Sequence, residues 1–152
     1  MIAFKQETYD EIIGDGLPLL KAHAAEVAHY PDLMTLDIDD VLYRAMEAKG
    51  RLFIASARDD RKLVGYISIF VAHHPHYRGV LHAAEDVHFV HPDHRDPHTA
   101  IGLLRFAEKA MRDRGVHVIT LRTKVKHDHG RIFERMGFEA MDTVWIKRLD
   151  GG

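Results

Sequence analysis

The amino-acid sequence predicts an α/β chain with a mixed central sheet and helices on both of its faces. Three observations lead to it. Apolar residues recur at helical spacing between the opening strand and Lys49, the period changes to strand-like runs at Arg51, and helix and strand alternate again after Val90. The resulting order is β-α-α-β-β-β-α-β-α-β, with no repeat, low-complexity tract or linker. A chain of 152 residues is expected to form one domain, spanning 1–152, around one core.

Ile2–Gln6 reads as a short opening strand. From Tyr9 to about His29, the residues Ile12, Ile13, Leu17, Leu19, Leu20, Ala24 and Val27 keep helical spacing, interrupted by Gly14, Gly16 and Pro18. Tyr30-Pro31-Asp32 ends that pattern. Asp37 or Asp39 can cap a second helix running to Lys49, with Val41, Leu42, Ala45 and Met46 on one face and Gly50 as terminator. Leu52-Phe53-Ile54-Ala55 then reads as a strand, Arg58-Asp59-Asp60-Arg61 as a polar turn, and Leu63 to Ala72 as the second arm of a hairpin. His73-His74-Pro75-His76-Tyr77-Arg78-Gly79 is expected to be a loop before a third strand, Val80 to Val90. A helix from Thr99 to Arg114 closes at Gly115, and a strand follows from Val116 to Leu121. A last helix, His127 to Met136, closes at Gly137 before a final strand over roughly Phe138 to Arg148.

Composition narrows the function classes. The 46% apolar and 29% charged content is that of an ordinary soluble globular protein. No run of about 18 apolar residues is present, so no membrane span is expected. The opening Met1-Ile2-Ala3-Phe4-Lys5-Gln6-Glu7-Thr8 lacks the basic and apolar regions of a secretory signal. Zero cysteines exclude disulfides, thiolate metal sites and a cysteine nucleophile, and fit a reducing cytoplasm. A net charge of −2 carries no global signature for nucleic acid. The 13 histidines are unusual: adding 13 positive charges to −2 gives +11, and unperturbed imidazoles titrate at about 6.5, so surface charge is expected to depend on mild acid.

The segment Phe89-Val90-His91-Pro92-Asp93-His94-Arg95 runs an apolar strand into a proline turn, an arginine, a short loop and a helix start. That order suits a pyrophosphate, because N–H groups at a helix start and a nearby arginine both attract anions. Some 40 residues on, Arg131-Ile132-Phe133-Glu134-Arg135-Met136-Gly137-Phe138 forms a second motif behind an intervening strand. Val90-His91-Pro92-Asp93-His94-Arg95 resembles the V-x-P-x-x-R-G-x-G-x-G/A of the GNAT acetyltransferase superfamily, and the second motif resembles its L-Y-E-K-L-G-F ending. The resemblance covers roughly Arg51 to Leu149 and is nearest to the phage-encoded branch. It implies a GNAT-type fold, a mixed, mostly antiparallel central sheet flanked by helices on both faces. It also implies acetyl-CoA as co-substrate, with pantetheine pairing along the main chain of His88, Phe89 and Val90. The pyrophosphate would lie on Arg95, Asp96, His98, Thr99, Ala100 and Ile101. An unpaired stretch of strand and a helix N-terminus are physically suited to those two tasks.

The departures are chemical. In place of G-x-G-x-G/A the chain has Asp96-Pro97-His98-Thr99-Ala100, with a negative charge near the expected phosphates and a proline that has no N–H to donate. These changes predict a reshaped or weakened pyrophosphate site. The tyrosine usual in the second motif falls on Phe133, which has no proton to give, and the asparagine often found seven residues earlier falls on Lys126. His127, His129, Tyr77 or a water are the remaining sources of an acid. For the base, the family's usual carboxylate, four residues before the position of Val90, gives Asp86, with Glu85 kept beside it. Strand alternation places Asp86 with His88 and Val90, and Glu85 with Val87 and Phe89; a bulge between them would exchange the assignments. The alternative is that both acids are solvated or ion-paired strand residues.

The groups His73, His74 and His76, and His127-Asp128-His129, have a composition that suits zinc or nickel, but neither has i, i+4 helical spacing. They are read as loop polar residues, caps or acceptor-pocket lining, with Asp128 as a capping residue and no metal expected. Ile101, Leu104, Ala107 and Met111 are core positions, and Arg112, Arg114, Arg122, Lys124 and Lys126 form either a solvated face or a contact to the CoA 3′-phosphate. The function expected is N-acetyl transfer from acetyl-CoA to a small-molecule or peptide amine by direct attack. A homodimer through edge strands, as in many family members, is compatible with it. The alternative is a non-catalytic protein of the same fold whose histidines bind a metal or a partner.

Overall fold

The computed structural model describes residues 1–151. The chain falls into two compact units, Met1–Arg122 and a smaller one that begins at Thr123. The first holds β1 (Ile2–Gln6), α1 (Tyr9–Val27), α2 (Asp40–Ala48), β2 (Leu52–Asp59), β3 (Lys62–His74), β4 (Tyr77–Val90), α3 (Pro97–Asp113) and β5 (Val118–Thr120). The strands form one sheet in the order β1-β2-β3-β4-β5. The first four are antiparallel, and β5 is parallel to β4. This is the mixed, mostly antiparallel sheet expected from the sequence.

Both faces are apolar because β2, β3 and β4 alternate two sets of buried side chains. Leu52, Ile54, Tyr66 and Phe89 pack against Tyr9 and Ile12 of α1, with Tyr43 and Met46 of α2 at the margin. The intervening positions Phe53, Ala55, Ile67 and Ile69 are also buried and face the side of Leu103, Leu104, Ala107 and Met111 of α3. The guanidinium of Arg114, at the end of α3, lies 4.9 Å from the Phe53 ring centroid.

The elements differ from expectation in ways that local chemistry explains. Thr8 and Glu11 form a reciprocal capping box that starts α1, and the helix runs unbroken through Pro18. Asp39, not Asp37, caps α2 by accepting from the Leu42 amide. Of the expected inner face of α2, Met46 packs inward, but Val41, Leu42 and Ala45 are turned outward, with Val41 77% and Leu42 50% exposed. Tyr43 and Glu47 turn inward beside Met46, and the Glu47 carboxylate takes the Tyr9 amide at 2.7 Å. The expected loop from His73 to Gly79 is a tight hairpin, with only Pro75 and His76 between β3 and β4. In the second unit, α4 (Gly130–Arg135) is shorter than its sequence pattern, and residues 138–151 carry no strand.

One buried ion cluster ties β1 to β2 and α1. Glu7 is 3% exposed and accepts from Arg58 Nε at 2.7 Å, Arg58 Nη2 at 3.0 Å and Ser56 Oγ at 3.1 Å. Lys5 lies 2.9 Å away, and Arg58 reaches on to Asp15 of α1 at 2.9 Å. Burial pushes the Glu7 carboxyl up, but the hydrogen bonds from Arg58, Lys5 and Ser56 outweigh it and hold the group at about 2. Because the folded value lies below the ordinary one of 4.5, the stabilisation is complete above that pH and is lost as pH falls from 4.5 towards 2. Replacing Glu7 by Ala strips Arg58 of its buried carboxylate partner and leaves it only the exposed Asp15. Urea denaturation at neutral pH is expected to read a loss of about 3–5 kcal/mol.

Candidate active site

The site is built where β4 parts from its two neighbours in different ways. On the β3 side, Ser68 pairs with Val87 and Ile69 with Glu85, so Asp86 is an extra residue with no partner across the ladder. On the β5 side, pairing stops at Ala84 opposite Thr120. The main chain of Val87 to Val90, including His88 and Phe89, therefore has ladder partners on β3 alone.

The bulge decides where the two acids point. Asp86 accepts from the hydroxyls of Tyr43 on α2 and Ser68 on β3, the latter at 2.8 Å, so it lies on the α1 and α2 face with Val87 and Phe89. Simple alternation had placed it with His88 and Val90. The extra residue shifts the phase and produces the exchanged arrangement. Glu85 turns the other way: its carboxylate accepts from the Arg122 amide at 2.7 Å, and its carbonyl from Arg122 Nη2 at 2.9 Å. Arg122 is thus engaged just past the end of β5.

The loop after β4 is organised by its own charges. Arg95 Nε donates to the Val90 carbonyl at 2.8 Å, and both terminal nitrogens donate to Glu26 of α1, at 2.9 and 2.7 Å. The guanidinium also lies 5.3 Å from the Phe89 ring centroid, and His23 of α1 stacks on Phe89 at 4.9 Å. Asp96 is the N-cap of α3, accepting from the Thr99 amide at 2.9 Å and its hydroxyl at 2.8 Å. Those bonds hold the Asp96 carboxyl below the usual carboxylate range. Pro97 is the first helical residue, where a missing N–H costs nothing, so α3 begins two residues earlier than expected. His98 is exposed, Thr99 is buried beneath the cap, and Ala100 and Ile101 continue the first turn. The helix start that suits an external anion is thus partly satisfied by an internal one.

The sequence reading missed Tyr43, Ser68 and Tyr66. A serine and a tyrosine within the apolar run of β3, paired with Val87 and Phe89 just beyond the acids, were the available signal. The hydroxyl of Tyr66, a residue 4% exposed, has no hydrogen-bond partner among the described residues. The histidines take quieter places. His74 packs against Tyr77 and His82, at 4.8 and 6.1 Å between ring centroids. Among the described residues no three His, Cys, Asp or Glu side chains are arranged to hold a metal, and no helix is long and apolar enough to cross a membrane. In the second unit, Asp128 accepts from the Gly130 amide at 2.8 Å as a cap, and Phe133 is buried 6.0 Å from Phe138.

Comparison with known proteins follows the same lines. The model of the acetyltransferase (GNAT) family matches residues 19–138. No curated protein matches the chain in sequence. Solved structures share the fold. A ribosomal-protein-alanine N-acetyltransferase from Brucella melitensis superposes with a TM-score of 0.72 at 20% identity, covering 98% of this chain and 99% of the other. A predicted acetyltransferase with acetyl-CoA from Clostridium acetobutylicum gives 0.75 at 17%, covering 98% and 96%. An aminoglycoside acetyltransferase from an uncultured soil metagenomic sample, in complex with sisomicin, gives 0.73 at 12%, covering 98% and 97%.

Arg95 bonds to both the end of β4 and α1, so its removal is expected to be felt as stability. Arg95→Ala is expected to lower the unfolding free energy by about 1–2 kcal/mol, measured in urea, through the lost carbonyl bond and bidentate pair.

Proposed function

The chain belongs to the acetyltransferase (GNAT) family, and on that premise we propose that it moves an acetyl group from acetyl-CoA to an amine by direct attack, with Asp86 as base. The observation that carries this reading is the bulged Asp86 beside the stretch of β4 that β5 leaves unpaired. A thioester laid along Val87 to Val90 would place its carbonyl against main-chain groups outside the β5 ladder, and an amine arriving from the α1 and α2 face would meet the carboxylate.

The chemistry balances without a cofactor beyond the donor. The acceptor ammonium gives one proton to Asp86, and its lone pair forms the new bond to the acetyl carbon. Collapse of the tetrahedral adduct breaks the carbon–sulfur bond, and the second proton leaves the nitrogen for the departing thiolate or solvent. Phe133 offers no proton, and a thiol of ordinary pKa about 8.5 departs tolerably as a thiolate. Glu85 is bonded to Arg122 and serves in this reading to hold β4 beside β5. On the loop from Arg95 to Ile101, the pyrophosphate would compete with Glu26 for Arg95 and with the Asp96 carboxylate for the first turn of α3.

The acceptor class is a primary amine, on a protein terminus or a small molecule, as the names of the similar structures suggest for those proteins. Both units of the chain serve the one activity. Work in the cytoplasm fits a chain without cysteine, and pairing through edge strands is the route to a homodimer. Placement on the phage-encoded branch rests on the motifs at 90–95 and 131–138 alone.

Two measurements test the reading. At about 100 times its dissociation constant, acetyl-CoA should stabilise the protein by roughly 2.7 kcal/mol in thermal unfolding. Asp86→Asn should keep that shift and lose about 100- to 10,000-fold in turnover. No shift with millimolar acetyl-CoA, or full turnover by Asp86→Asn, would overturn the reading.

A further inference from the structure

Asp86 is gripped on one oxygen only. Tyr43 and Ser68 both donate to Oδ2, and among the described residues no hydrogen bond reaches Oδ1. The donors come from different elements, one from a helix above the sheet and one from the neighbouring strand. Tyr43 is itself held: its ring stacks on Tyr9 at 5.3 Å with planes 12° apart and tilts against Phe70 at 5.9 Å. The Tyr9 hydroxyl donates to Asp40 in the first turn of α2, and the Tyr9 amide to Glu47 in the last. The phenol that reaches Asp86 is therefore braced along the whole of α2. A bulged residue lacks the cross-strand pairing that fixes its neighbours, so some other constraint has to set its direction.

We propose that Tyr43 and Ser68 are positioning residues for the transfer reaction, fixing Oδ2 of Asp86 so that Oδ1 is the atom presented to the acceptor amine. The inference rests on Asp86 as the base. Orientation of this kind converts a freely rotating carboxylate into one that meets the amine in a reactive geometry. The surroundings leave the assignment clean. From β3, Asp86 is faced by Ser68 and Tyr66; from α2 by Tyr43, with Tyr9 of α1 behind it. Its own strand supplies Glu85 and His88, and Arg122 reaches its carbonyl at 3.5 Å. Burial, with the Asp86 charge added, pushes the Tyr43 and Tyr66 hydroxyls upward, so both keep their protons through neutral pH. Glu85 and Arg122 are bonded to each other.

The test combines a titration with kinetics on the full chain. Carbon-13 NMR of the aspartate carboxyls, assigned with Asp86→Asn, follows the Asp86 midpoint in wild type, Tyr43→Phe and Ser68→Ala. Each variant removes a donor to the charged form, so the midpoint should rise by about one pH unit in either. With acetyl-CoA and two probe amines, sisomicin and an alanine-initiated peptide, kcat should fall about tenfold and the acidic limb should move up with it, while acetyl-CoA binding stays constant. Tyr66→Phe is the control: it removes a hydroxyl with no partner, so its melting temperature should hold or rise and the midpoint should stay near the wild-type value. Unchanged Asp86 midpoints in folded Tyr43→Phe and Ser68→Ala, or shifted midpoints with unchanged kcat, would overturn the clamp. Full turnover by Asp86→Asn, or no transfer to either amine by wild type with the midpoints still shifted, would instead sink the reading of Asp86 as base and take the positioning role with it.

Discussion

One residue more on β4 than on β3 sets the rest of the site. A regular ladder would send the side chains of Glu85 and Asp86 to opposite faces in strict alternation, with Asp86 beside His88 and Val90. Asp86 stands outside the pairing, so the phase shifts and the carboxylate joins Val87 and Phe89 beneath α1 and α2. A bulge bends a strand and disrupts its ladder locally, which disfavours continued pairing with a parallel neighbour. The pairing with β5 ends at Ala84, two residues before the bulge, and Glu85 and Arg122 close the corner. An acid turned to one face and a strand edge released on the other thus share one local cause. The hydroxyls of Tyr43 and Ser68 reach a carboxylate only because the bulge brings Asp86 to them.

Much of this architecture is legible in the sequence. The strand-to-helix motif from Val90 to the start of α3, the hairpin from Leu52, and the two helices ahead of it follow from period and caps, which are local properties. The misreadings have non-local causes. On α2, Val41 and Leu42 of the expected stripe lost to Tyr43 and Glu47, because α1 offers a ring to stack on and an amide to bond. The histidine-rich turn looked long because its residues are polar, but β3 and β4 continue into it by pairing with each other. Neighbouring acids on one strand marked a chemical position, and alternation alone could not say which face each would take. Tyr43 was out of reach altogether: its link to Asp86 spans 43 positions and exists only after two helices have docked.

The loop after β4 shows how a folded chain's own carboxylates fill a helix start and an arginine fork, both of which suit an anion. Asp96 occupies the first turn of α3, and Glu26 takes both terminal nitrogens of Arg95. A guanidinium offers a fixed fork, and two anions cannot both hold that fork at full strength. Anchoring of the C-terminal end of α1 and capture of any phosphate at Arg95 are therefore linked equilibria. By reciprocity, the free energy with which a bound phosphate loosens Glu26 equals that with which Glu26 weakens the phosphate. The end of α1, from His23 to Val27, becomes a reporter: its amide hydrogens should exchange at a rate set by what Arg95 is holding.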